Sequence, residues 1–221
     1  MIEARNVSKT YSAARQPVHA LERINLRIAK GDFVVAHGSS GSGKTTLLLA
    51  LGGMLRPTSG EVVFQAKDIY ACSALRRSRH RRQNVGFIFQ KFFLVPYLTA
   101  YDNIRLALVM RRYRGNHRQR VLDVATRLGM MDRLGHRPAQ LSVGEQQRIA
   151  MARAIASEPK LILADEPTGN LDRTNARALV EFLLEENRRG RTIVLVTHDE
   201  SLLPLGNRTI HLRDGNLSDS E

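Results

Sequence analysis

An α/β fold built around a mostly parallel sheet is the class this sequence predicts, and three observations predict it. Residues 38–45 fit the phosphate-loop pattern G-x-x-x-x-G-K-[ST] without a gap. Short apolar runs at 33–36, 85–89, 161–164 and 192–196 have the length and composition of buried strands. Three of these runs end in polar residues suited to chemistry, Gln90, Asp165 with Glu166, and His198; ligands of open α/β sheets gather at such strand ends.

The 221 residues suit one domain with subdomains, and 43% apolar with 25% charged residues is the composition of a soluble globular protein. The longest uncharged apolar stretch, near 92–101, falls short of the ~18 residues a membrane span needs. Nothing at the start reads as a charged-then-apolar leader, and Cys72 is the only cysteine, which together point to a reducing cytoplasm. The net charge of +13 favours an anionic partner such as nucleic acid, anionic lipid or an acidic protein. Much of that charge is local: Arg76, Arg77, Arg79, Arg81 and Arg82 flank His80, and Arg111, Arg112, Arg114, Arg118 and Arg120 form a second cluster. Solvated faces and loops are the plain reading, a partner surface the functional one.

In chain order, residues 2–7 alternate weakly and predict an edge strand, with Tyr11 beyond it as a candidate aromatic face for a base. Ile24, Leu26 and Ile28 alternate as a half-buried strand, and residues 30–32 turn into the strand at 33–36. In the loop itself Gly38, Gly41 and Gly43 allow a tight turn, and the backbone N–H groups of Ser39, Ser40, Ser42 and their neighbours converge as a nest for a di- or triphosphate. Lys44 is placed to reach the β- and γ-phosphates. Thr45 offers its hydroxyl to Mg²⁺, and Thr46 continues a helix over about 44–55 whose positive end faces the same anion. Residues 57–60 turn into a further strand at 61–64.

Gln90, at the end of the run at 85–90, is a candidate side-chain oxygen ligand for the metal. Helical periods follow: Ile104, Ala107 and Leu108 share one face, and Val121, Ala125 and Leu128 another, stopped by Gly129. Ser142 and Glu145 are spaced as a capping box and fix the start of a third helix, a second ready anion site beside Gly144. Asp165 suits a Mg²⁺ ligand and Glu166 a base for the attacking water. Residues 167–172 turn into an amphipathic helix closed by Gly190, and the strand at 192–197 delivers His198 as a γ-phosphate contact. The tail from Ile210 is expected to add at most one more strand.

With these pieces placed, the chain resembles the nucleotide-binding subunit of ABC transporters along essentially its full length. Tyr11 resembles the adenine-stacking aromatic, residues 38–45 the Walker A motif, Gln90 the Q-loop, and residues 141–146 the signature. Residues 161–165 resemble Walker B, Glu166 the catalytic glutamate, residues 169–172 the D-loop, and His198 the switch histidine. Val143 departs from the usual glycine; a helix starting at Ser142 gives it an ordinary helical backbone. Ser39 stands where a proline is common.

The resemblance implies a P-loop NTPase core of the ABC ATPase type, over about 1–90 and 159–221. It adds a small N-terminal antiparallel β subdomain and a helical subdomain over about 91–158. The segments 86–99, 145–148 and 164–172 are similar to the branch of lipoprotein-releasing and macrolide-exporting systems. That branch implies ATP and Mg²⁺ as cofactors, a second copy in an ATP-dependent head-to-tail dimer, an integral membrane permease as partner, and the cytoplasmic face of the inner membrane as location. The alternative is a soluble ABC ATPase acting on nucleic acid or ribosomes, for which the charge argues; without a long heptad insertion or a second cassette, no nucleic acid partner is expected.

Overall fold

The computed structural model describes residues 1–12 and 16–219. The chain opens with β1 (Ile2–Tyr11), β2 (Val18–Ile28), β3 (Phe33–His37) and α1 (Lys44–Leu51), followed by β4 (Ser59–Phe64), β5 (Lys67–Asp68), α2 (Ala74–Asn84) and β6 (Val85–Phe89). Three helices come next, α3 (Ala100–Arg111), α4 (His117–Arg127) and α5 (Val143–Ala156). The chain then runs through β7 (Leu161–Asp165), α6 (Arg173–Arg188), β8 (Thr192–Thr197), β9 (Arg208–Arg213) and β10 (Asn216–Asp219).

The strands form two sheets. A six-stranded sheet has the order β10-β9-β3-β8-β7-β6, parallel throughout except for the β9-β10 hairpin. Its parallel strands are buried on both faces, as helices on one side and a second sheet on the other require. Phe33, Val35, Ile162, Ala164, Ile193 and Leu195 face the helices α3 to α6. Their neighbours Val34, Ala36, Leu161, Leu163, Val194 and Val196 face α1 and the four-stranded antiparallel sheet β2-β1-β4-β5. The period of two along each strand divides the core in this way.

Four expectations need correction. β1 is not an edge strand: it pairs with both β2 and β4, and Ile2, Ala4 and Val7 bury one face. A half-buried antiparallel strand alternates alike at an edge or between neighbours, so the pattern could not separate the two. The tail supplies two strands, because Asp214 and Gly215 both take positive φ (48° and 78°) and close β9 on β10 with the two-residue turn that Asp-Gly favours. The helix after the phosphate loop ends at Leu51 with Gly52 as its cap, short of residue 55. The arginine cluster at 76–82, read as faces and loops, is the exposed helix α2, with Ser73 accepting from the Arg76 N–H and no residue buried.

The predicted helical periods hold. Thr99, Asn116 and Ser142 each accept a backbone N–H at the start of α3, α4 and α5, which satisfies donors the helices leave free. Fully buried Glu186 on α6 pairs with Arg127 of α4 and with Arg191 ahead of β8, tying the helical layer to the sheet.

Candidate functional site

Register assembles the site. Across the parallel ladder His37 is opposite Thr197, Val196 opposite Asp165, and Asp165 opposite Phe89, so β3, β8, β7 and β6 end together. The next residues in the chain are Gly38, His198, Glu166 and Gln90. Four segments distant in sequence therefore meet at one edge of the sheet, around a cavity of about 520 Å³. Ala20, Ser40, Gly41, Gly43, Lys44, Thr45, Thr46, Gln90, Glu166 and His198 line it.

The loop's glycines have a packing reason beyond the turn itself. A Cβ on Gly38 would stand 2.2 Å from the Leu212 carbonyl oxygen, and one on Gly43, itself at φ 104°, 2.2 Å from that of Ala20. Side chains there would push β9 and β2 away from the loop. Lys44 is buried and its amine donates to the carbonyls of Gly38 (2.7 Å) and Ser39 (2.9 Å). Buried Ser42 closes the turn with its N–H on the Ser39 carbonyl (3.2 Å).

Charge is concentrated where the strands end. The Lys44 amine lies 3.6 Å from Glu166 Oε1. Glu166 Oε2 lies 2.9 Å from His198 Nδ1 and also accepts the His198 backbone N–H at 3.3 Å. Glu166 takes φ 44°, a left-handed conformation costly for a side chain of this size, while its own N–H is held by the Val196 carbonyl at 2.9 Å. That turn takes Glu166 out of the alternation of β7, which ends at Asp165. Thr45 Oγ1 donates to Asp165 Oδ1 at 3.0 Å. Burial holds the Asp165 carboxyl above its usual range, with Glu166 adding to this and the Thr45 hydroxyl and Lys44 opposing it.

Thr45 and Asp165 bring oxygen donors to this edge and Gln90 lines it with an amide that carries one more, the donor type a hard divalent cation takes. Among the described residues no three His, Cys, Asp or Glu side chains cluster as a metal cage. One carboxylate, one hydroxyl and an amide, completed by phosphate oxygens, fit Mg²⁺.

Two sets of sequence candidates stand apart from this cavity. Tyr11 ends β1 beside Val18, 40% exposed with the Lys9 amine 5.2 Å from its ring centre. Ser142, Gly144 and Glu145 begin α5. The capping box is formed: Glu145 Oε2 accepts the Ser142 N–H at 2.8 Å and Ser142 Oγ the Glu145 N–H at 3.3 Å. Arg133, 2.7 Å away, and then Ser142 push the Glu145 carboxyl down to about 2. Val143 is the first helical residue and 51% exposed. None of this turn lines the cavity among the described residues.

A model of the ABC transporter family matches residues 21–169, more than half of the chain. The chain belongs to the ABC transporter family. It is an ATP-binding subunit and ATPase of that family, related to the exporter and lipoprotein-release branch. The lipoprotein-releasing system ATP-binding protein LolD of Syntrophotalea carbinolica is 38% identical over 99% of this chain and 97% of its own length. The macrolide export ATP-binding/permease protein MacB of Chlorobium luteolum is 40% identical over 97% of this chain, which spans 32% of that longer protein. MJ0796, an ABC transporter ATP-binding protein of Methanocaldococcus jannaschii, is 40% identical over 100% of this chain and 97% of its own. Its dimeric structure in a post-hydrolysis state with ADP and Pi superposes with a TM-score of 0.92, covering 99% of this chain and 98% of that one.

Within this ABC ATPase, sequence reasoning missed two contributors. Ala20 of β2 lines the cavity, and Asn170 donates to the Gln90 carbonyl at 3.1 Å. Asn170 stood inside the D-loop-like run 169–172, which was the available signal. No letter pattern marked Ala20.

Proposed function

We propose that two copies of this chain pair head to tail, each ATP held between one copy's phosphate loop and the other's Ser142 turn. The pair works with a separate integral membrane permease at the cytoplasmic face of the inner membrane, in an exporter or lipoprotein-releasing system. One observation carries this reading: Lys44, Thr45, Gln90, Asp165, Glu166 and His198 converge at one sheet edge, whereas the anion-binding turn of α5 lies outside that cavity. A site so divided is completed by a second copy, and a two-fold pair makes both sites alike. The dimeric form of MJ0796 with ADP and Pi, and the names of the LolD and MacB relatives, support it.

Hydrolysis is then mostly positioning and charge stabilisation. Lys44 exchanges the Gly38 and Ser39 carbonyls for phosphate oxygens. Glu166 holds and deprotonates the attacking water, and His198 orients the Glu166 carboxylate before touching the γ-phosphate. Thr45, Asp165 and Gln90 hold Mg²⁺, which when bound neutralises charge on the phosphates. Tyr11 stacks on the adenine.

The basic surface supports a second reading, a soluble ATPase acting on nucleic acid or ribosomes. Purification of the chain from membranes separates the two. Co-purification with a permease whose presence in liposomes changes ATP turnover is the expected result. ATPase activity indifferent to that protein but stimulated by DNA, RNA or ribosomes would overturn the transport reading.

A further inference from the structure

Gly144, in the first turn of α5, is buried. A Cβ built on it would lie 2.5 Å from Asn175 Oδ1, 2.6 Å from its Cγ and 2.7 Å from its Nδ2. The place a side chain would take is thus already filled, from within the same chain, by the amide of Asn175. That amide is not free to swing aside: Asp172, the N-cap of α6, accepts the Asn175 N–H at 2.9 Å and Asn175 Nδ2 at 2.7 Å. A second tether lies one turn further along. Buried Gln147 of α5 donates its amide to the Pro167 carbonyl at 3.2 Å, next to Glu166.

We propose that Asn175 is a positioning residue for the α5 turn. Clamped by Asp172, it forms the seat on which Gly144 rests and so sets where Ser142 and Gly144 are presented to a second copy's nucleotide. The missing side chain at 144 serves this contact, and the turn that follows Glu166 is mechanically joined to the turn that serves the other site. This rests on the head-to-tail reading above.

The test is a double-mutant cycle in the full chain, Gly144→Ala, Asn175→Ala and both together, read by ATPase KM and kcat and by ATP-dependent dimerisation in a Glu166→Gln background. Own-loop nucleotide binding and thermal unfolding of the monomer serve as fold controls. Gly144→Ala is expected to raise the ATP concentration for half-maximal dimerisation and the KM by roughly tenfold or more, with monomer ATP binding retained. Adding Asn175→Ala removes the colliding amide and should bring both back to within about threefold of Asn175→Ala alone. Asn175→Ala alone, an independent measure should Gly144→Ala fail to fold, is expected to shift half-maximal dimerisation by about threefold or more. A double variant as impaired as Gly144→Ala would place the obstruction on the partner's nucleotide and overturn the proposal, as would an unshifted Asn175→Ala or a fully active Gly144→Ala. Failure of the Glu166→Gln parent to dimerise with ATP would instead overturn the head-to-tail reading itself.

Discussion

Asp165 sets chemistry against stability in one residue. Its carboxyl is held above the usual range chiefly by burial, so the folded chain binds that proton more readily than the unfolded one. Ionised Asp165 therefore destabilises the fold at neutral pH, and the penalty disappears as pH falls through the raised folded pKa. Asp165→Asn is expected to melt at a higher temperature than the parent at pH 7, to lose that advantage in acid, and to lose Mg²⁺-dependent hydrolysis. Melting curves across pH with parallel phosphate release check all three. Most of the phosphate-loop side could be read from letters, because glycines, a lysine and a hydroxyl at fixed spacing have few other uses. The left-handed Glu166 could not, since its φ of 44° is imposed by the β7–β8 ends rather than by its own preference.

α5 begins where Ser142 and Glu145 said it would, since both groups of a capping box lie within four residues of chain. Ser142→Ala is expected to cost about 1 kcal/mol of stability by thermal or denaturant unfolding. Glu145, held down to about 2 by Arg133 and Ser142, adds stability that is complete above its ordinary carboxyl range and is lost as pH falls towards 2. α2 shows the opposite case. Its arginines obscured the helix, because a charged run carries no apolar period to read, although arginine is a good helix former. Arg76 and Arg79 stand three apart, as do Arg79 and Arg82, and no acid lies in the first turn. Like charges at that spacing cost a few tenths of a kcal/mol per pair. Arg79→Gln should thus raise thermal stability slightly at low salt, and the gain should shrink as salt is added. A gain independent of salt would point to packing instead.

At the scale of the whole molecule, strand order was beyond the sequence: β3 pairs with β8 and β9 from the far end of the chain, a choice made by packing of both faces and not by any local pattern. Apolar run lengths revealed the strands, and the polar residue closing each run marked the active edge. The register that brings Gln90, Glu166 and His198 level is set by the pairing of β6, β7 and β8, which no local pattern encodes. Buried Glu186, with Arg127 and Arg191, was hidden for the same reason, since nothing near it in sequence announces its partners. Glu186→Ala would strip two largely buried arginines of the carboxylate they share, leaving Arg127 with Glu185 and Arg191 with the Pro159 carbonyl, and is expected to cost about 3 kcal/mol by denaturant unfolding. The central claim is that Glu166 handles the water in a site that two copies complete. Its most direct test is Glu166→Gln followed by sedimentation and phosphate release with and without ATP. An amide can still hydrogen-bond but cannot take a proton, so turnover should fall by at least ~10² while ATP converts the monomer into a stable dimer. Near-parental turnover, or an ATP-bound variant that remains a monomer, would contradict the account.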